Sequence, residues 1–452
     1  MPIAFVYLLV MLAVICIWFL LFKRPVYEAV LVSFLCLVAI TGSWGSFGGY
    51  IQSGLKTSLL YSMLVFVAMS IIFTRTKIID GAVGIILALL GKIPGGAGYV
   101  SVIASSFMGA LSGSGPGNVM ATGAITIPAM KKSGFPPELA ANVESTSSYL
   151  GNAIPPSSNI VAALGAYMAL YPDSGVTTSQ FWIVCWGCSI WFILHRILTV
   201  FIFCKYYKVK PMAKEDCPKL REVIKGGWQG LLLPIIILLP FILDFLFKDS
   251  FFSARLGEDG AKYMSSSILY FIAGVAALFA ICVLKDKKQV TPNKIAKMFA
   301  KSVKSISPTI ATCIFGYMIG ALFADLGVAE DLQVVFENLH IGKLGLVLII
   351  PLFTCFMGMV VPGSSLVVMF GSVFIALFES VGINPILSAA MLPSICGVMC
   401  GITPPLALGM YAGMALAESD FSKTVKNDMW WVVGQYAVEV IILLGFLPII
   451  GL

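Results

Sequence analysis

"FMGALSGSGPG", residues 107–117, returns as "FMGMVVPGSSL", residues 356–366. Both open on the same three residues and run from an apolar stretch into a cluster of glycine, proline and serine. "AIPPSS" (153–158) returns in the same way as "ITPPLA" (402–407). Phe107 and Phe356 stand 249 residues apart, and so do Pro155 and Pro404. Met108 and Met357, Gly109 and Gly358, Pro156 and Pro405, and Ala140-Ala141 and Ala389-Ala390 obey the same offset. One offset held without a gap over about fifty residues marks an internal repeat. It carries the apolar run 58–74 onto 307–323. It also carries 78–91, read as a short interfacial helix, onto 327–340.

The chain around the repeat is apolar. Hydrophobic residues make up 59% and charged residues 11%, with a mean hydropathy of +0.97. A soluble domain carries about 25% charge. Runs of about 20 apolar residues, enough to cross a bilayer as helix, recur along the sequence. The first, 3–22, follows no basic residue and precedes no small-residue cleavage site, so it reads as a retained span and not a signal peptide. The 11 cysteines are scattered through apolar runs and read as packing residues, Cys185 and Cys188 included. Two histidines and no cluster of metal ligands or catalytic pairs argue against an intramembrane enzyme.

The net charge of +7 does not point to nucleic acid. Of the 29 basic residues, 22 fall in six clusters: Lys23-Arg24, Arg75–Lys77, Lys131-Lys132, Lys205–Lys225, Lys285–Lys304 and Lys423–Lys426. These sit between apolar runs, whereas Tyr171–Gln180 has none and Asp325–Lys343 is acidic. Assigning the basic clusters to the cytoplasm gives ten spans: 3–22, 26–41, 58–74, 138–170, 181–204, 231–247, 267–284, 306–324, 386–417 and 430–450. Both termini then lie outside. The stretches 99–130 and 345–378 are too long for one crossing, are interrupted midway, and have both ends on one side. Each reads as a re-entrant hairpin, with irregular backbone shielded from lipid. Two hairpins on opposite faces, and five spans per copy, make the repeat inverted. The expected fold is an all-α polytopic membrane protein, with residues 1–230 and 231–452 as two inverted repeats. Inverted repeats with broken helices are the architecture of secondary transporters. A channel would not require two tips approaching from opposite sides.

Each copy has two breaks: Ser112–Asn118 and Gly151–Ser158 in the first, Val361–Ser365 and Gly401–Pro405 in the second. Proline leaves upstream carbonyls unpaired, and unpaired carbonyls with hydroxyls suit a hard cation such as Na+. Cation ligation is expected from Ser112, Ser114, Asn118, Asn152, Pro155 and Ser157, and from Gly363, Ser364, Ser365, Thr403 and Pro404. Helix N-termini after the breaks suit a carboxylate, which places substrate at Gly115, Gly117, Ser148 and Ser365. Glu144, in the polar run "NVESTSSYLGN" (142–152), joins them if it faces the substrate path, or else lies hydrated near the cytoplasmic rim. Arg196 and Glu439 lie at similar depth and are expected to pair, with His195 a bystander. Trp430 and Trp431 read as interfacial anchors, and Lys294, Lys297, Lys301 and Lys304 as one face of a surface helix.

"SGSGPGNVMATGAITIPAMKKSGF", "GNAIPPSS" and "GITPPLALGMYAGMA" resemble the large membrane subunit of TRAP transporters, closest to the branch served by TAXI-type binding proteins. The resemblance covers residues 40–430 and is most specific from Ser112 to Pro156. It implies an elevator-type, Na+-coupled importer of an organic acid in a bacterial cytoplasmic membrane, without an organic cofactor. It also implies two partners, an extracytoplasmic solute-binding protein and a small four-helix membrane subunit. The second tip departs from the family pattern at Pro362. The competing expectation is a stand-alone inverted-repeat carboxylate symporter, driven by Na+ or H+ and working as a homodimer.

Overall fold

The computed structural model describes the whole chain except residues 1–2, 57, 113–114, 285–290, 329–330, 332–333, 336–337, 339–340, 360 and 405–406. Among the described residues every regular element is helical. Five helical stretches are long and apolar enough to cross a membrane: Pro137–Leu170, Thr178–Tyr206, Leu220–Phe247, Gly363–Ser380 and Pro385–Ile402. Four fall on expected spans. The fifth, Gly363–Ser380, is an arm of the second hairpin.

The repeat is visible in the element bounds. Gly96–Ser112 and Gly115–Lys132 form the first hairpin, and Lys343–Gly358 and Gly363–Ser380 the second. Pro137–Leu150 and Ser158–Leu170 flank the first break. Pro385–Leu392, a π-helical segment Pro393–Val398 and Met399–Ile402 lead into the second, after which Leu408–Ala417 resumes. Adding 249 to each first-repeat bound lands within a few residues of its counterpart. A short helix, Ile78–Leu90, does form over the expected residues 78–91, while most of its counterpart at 327–340 lies outside the described residues.

Local chemistry sets the helix starts. Pro137 and Pro385 occupy first-turn positions, where no amide donor is needed. Ser157 accepts from the Asn159 amide, Asn384 from Ile386, and Asp420 from Lys423. Thr177 and Gln180 form a reciprocal capping box. These caps satisfy first-turn donors that have no partner within the helix.

The shared "FMG" has a packing reason. A Cβ on Gly109 would run into the Ser148 carbonyl and Gly151, and one on Gly358 would sit 2.5 Å from the Cys400 Cα. Gly151 and Cys400 are themselves 249 apart. In each repeat, then, the first hairpin arm presses its glycine against the following break. The repeats also clasp each other. Lys131, at the end of the first hairpin, donates to the Ala417 carbonyl at 2.9 Å. On the helix ends of opposite pairing, the Tyr171 hydroxyl donates to Glu379. Each hairpin is thus fastened to the broken helix of the other repeat.

Four expectations change. Gly115-Pro116-Gly117-Asn118 is the first turn of the second arm, because a proline there lacks only a donor the helix does not use. Residues 113–114, between the two arms in sequence, lie outside the described residues. The last helix spans Phe421–Leu443 and stops well short of 450. Lys294 and Lys297 begin a helix, Pro292–Asp325, that continues without interruption into the expected span. Trp431 is buried and only Trp430, at 68% exposure, faces outward.

Candidate functional site

The first arm brings Ser101 and Ser105, the second Thr122 and Thr126, and the broken helix Glu144 and Ser148. Steps of four put each pair on one helix face. Those faces meet around the Glu144 carboxylate, which has no solvent exposure. Ser101 donates to Oε2 at 2.6 Å and Thr126 to the same atom at 2.5 Å. Ser105 donates to Oε1 at 2.8 Å, Ser148 at 3.1 Å, and Thr122 by a short bond. Five hydroxyls from three helices stand in for water around one buried charge. Asn118 attaches the start of the second arm to this cage, through the Ser105 carbonyl at 2.7 Å and the Ser148 hydroxyl at 2.8 Å. Glu144 is therefore neither hydrated at a rim nor open to a path. It binds the hairpin to the broken helix.

A second cluster forms where the breaks face each other. Asn152 donates to the Gly397 carbonyl at 3.4 Å, across 245 positions. The Ser157 hydroxyl donates to the Asn152 carbonyl at 2.5 Å, beside a cis Pro155–Pro156 bond. Gly397 is tight enough that a Cβ would lie 2.7 Å from the Asn159 amide nitrogen, and a Cβ on Gly363 would lie 2.7 Å from Gly397. The second tip therefore touches the π-helical segment against which the first break rests. That segment presents carbonyls displaced from ordinary α-helical pairing. Tyr149 fills the space between the repeats. A Cβ on Gly115 would strike its ring at 2.6 Å, and Gly401 and Gly409 lie against the same ring.

Of the residues expected from sequence, Asn118, Glu144 and Ser148 meet in the hydroxyl cage. Asn152, Pro155, Ser157 and Gly363 meet at the facing breaks, with Ser364 and the buried Ser365 in the first turn of the adjoining arm. Gly115 packs on Tyr149, and Gly117 is exposed. Ser112 ends the first arm, and Ser114 lies outside the described residues. Thr403 and Pro404 follow the short helix Met399–Ile402. The Thr403 hydroxyl donates to the Met399 carbonyl at 2.7 Å. Both residues line an apolar cavity of 330 Å³ with Leu352, Phe356, Met429 and Val433.

The expected Arg196–Glu439 ion pair does not form. The Arg196 Nη2 donates to the Gln435 Oε1 at 2.9 Å, and the Gln435 Nε2 donates to the Glu439 Oε1 at 3.0 Å. An amide with one donor and one acceptor end bridges the two charges. His195 is no bystander, since its Nδ1 lies 3.0 Å from the Arg196 Nη1. Sequence reading also missed Ser101, Ser105, Thr122 and Thr126. Their signal was present as hydroxyls four residues apart in two arms of one hairpin.

Residues 3–450 match the family of the DctM component of tripartite ATP-independent periplasmic transporters. The Vibrio cholerae C4-dicarboxylate TRAP transporter large permease protein DctM is 24% identical over 371 residues, covering 79% of this chain and 77% of its own. The Escherichia coli 2,3-diketo-L-gulonate TRAP transporter large permease protein YiaN is 22% identical over 80% of this chain and 78% of its own. The solved structure of the Alcanivorax borkumensis YdaH transporter covers 90% of this chain and 89% of its own, with a TM-score of 0.64 at 16% identity. That likeness shows a shared fold. The chain belongs to the DctM family, the large membrane permease component of tripartite ATP-independent periplasmic transporters.

Proposed function

We propose that this permease imports an organic acid together with Na+, taking the acid from an extracytoplasmic solute-binding protein and working with a small four-helix membrane subunit. The observation that carries the reading is the meeting of the first break with the second tip, through Asn152, Gly397 and Gly363. Oxygen donors gather there from both repeats, as a hard monovalent cation requires, and the site lies between repeats, as in secondary transporters. The relatives' named cargoes, C4-dicarboxylate and 2,3-diketo-L-gulonate, are both carboxylates, and the helix start at Gly363 and Ser364 turns N-terminal amides toward such a group. The hairpins and broken helices then move together as the carrying unit of an elevator, in the cytoplasmic membrane with both termini outside.

Uptake into proteoliposomes tests this. The permease is reconstituted with the membrane subunit and binding protein encoded beside it, under an inward Na+ gradient or a K+ control, with labelled organic acids. Accumulation that needs both Na+ and the binding protein is expected. Asn152→Ala should raise the Na+ concentration for half-maximal uptake about tenfold, the equivalent of about 1.4 kcal/mol. Accumulation without any partner would replace this reading with the stand-alone symporter. Accumulation driven by a proton gradient alone would overturn the Na+ site.

A further inference from the structure

Helix Phe421–Leu443 turns a polar face into the protein. Thr424, Asn427, Asp428, Trp431, Gln435 and Glu439 are all buried, and their spacing of three and four places them on one stripe. At its inner end one oxygen of Glu439 is provided for, while its Oε2 has no partner among the described residues. Its Oε1 accepts from the Ser394 hydroxyl at 2.8 Å and from Gln435, which carries the link to Arg196. Asp428 differs. It has no exposure, and neither carboxylate oxygen has a hydrogen-bond partner among the described residues. Glu144, buried just as deeply, is met by five hydroxyls. The molecule thus shows how it accommodates a buried carboxylate charge, and Asp428 receives none of that provision.

Charge balance points the same way. One guanidinium, Arg196, stacked 5.6 Å over the Trp431 ring, faces two carboxylates, Asp428 and Glu439. His195 supplies no second positive charge. Arg196 only donates, so the His195 Nδ1 facing it at 3.0 Å must be an acceptor. The remaining titratable groups near Glu439 are Cys355, Cys396, Cys400 and Tyr436, none of them cationic. One negative charge is in excess in this buried seam. A proton on Asp428 removes it and gives the carboxyl a donor of its own. Asp428 lies seven residues, about 10 Å, inside the helix end that bears Lys423 and Lys426.

We propose that Asp428 is a proton-binding site that exchanges one proton with the Lys423–Lys426 side of the membrane, apart from the cation site at the facing breaks. The step is simple proton transfer from water to the carboxylate and back. Only its consequence for uptake rests on the transport reading above.

Infrared difference spectra of the purified permease in nanodiscs, recorded across pH, test the proton directly. A C=O stretch of a protonated carboxylic acid is expected in the wild type. It should be lost in Asp428→Asn and kept in Glu439→Gln. Absence of the band, or a band of unchanged amplitude in Asp428→Asn, overturns the proposal. Should Asp428→Asn not fold, Asp428→Glu decides, because a band at an unmoved frequency also overturns it. In proteoliposomes, wild-type uptake should change with internal pH and Asp428→Asn uptake should not, with Na+ still required by both. If no Na+-dependent uptake is found, the transport reading fails, while the infrared result still decides the proton site.

Discussion

Glu144 concentrates the energetics of the first hairpin in one side chain. Hydrogen bonds to a charged group contribute about 1.5–3 kcal/mol each, and here five converge. Glu144→Gln keeps the shape but places two amide hydrogens against hydroxyls that are already donating. Thermal unfolding in detergent should show a loss of several kcal/mol, and uptake should fall at least tenfold. Ser101→Ala removes one donor of five and should cost only about 1–2 kcal/mol, with uptake retained. Equal losses in the two variants would mean that the cage is not built around the carboxylate. Glu144 was legible in the sequence as an acidic residue in a polar run, whereas Asp428, just ahead of the expected span 430–450, was passed over. The opposite surroundings of the two were not legible, because hydroxyl donors reach Glu144 from 18 to 43 positions away.

At the level of elements, the contact between hairpin arm and break recurs in both repeats. Gly358→Ala would push a methyl into Cys400, an overpacking that costs about 1–3 kcal/mol. Cys400→Gly should recover part of that loss, and the double mutant measured by thermal unfolding checks it. Gly109→Ala meets backbone at Ser148 and Gly151, so side-chain trimming cannot relieve it, and it should be the more damaging of the pair. The offset in the sequence located these glycines as partners, and their contacts explain why the offset survives there. The hairpins were legible for the same reason: a cluster of small residues inside an apolar run too long for one crossing. The extent of the first tip was not, because a proline that ends one helix and a proline that begins the next look alike in isolation. Trp431 was misplaced because adjacent tryptophans on a helix point about 100° apart, so one reaches lipid while the other reaches Arg196.

Across the whole molecule, the repeats exchange fasteners. Lys131 holds the Ala417 carbonyl, and Tyr171 holds Glu379. Cysteines placed at Tyr171 and Glu379 and joined by a bifunctional thiol reagent should cross-link within one chain and leave the second hairpin and the first broken helix moving as a unit, with uptake preserved; cross-linking that abolishes uptake would show that these ends separate during the cycle. The Tyr171 contact also has a pH signature. Burial first, and then the bond to Glu379, raise the Tyr171 hydroxyl above its ordinary value of 10.0. Its stabilisation is complete below the unfolded value and is lost as pH climbs through the folded one. Melting curves of the wild type and Tyr171→Phe should therefore differ at neutral pH, by no more than about 1 kcal/mol for so exposed a contact, and draw together above pH 10.

The hydroxyl cage carries one more consequence. If the hairpin and broken helix travel together, the Glu144 charge travels with them, already surrounded by its own portable substitute for a hydration shell. A unit negative charge displaced across the full membrane field is worth about 2.3 kcal/mol per 100 mV. An interior-negative potential would then push the unloaded carrier outward, toward the side from which the acid is delivered, and bound Na+ would cancel that push for the return. Voltage would act on the empty half of the cycle, and the membrane potential would reset the permease between cargoes.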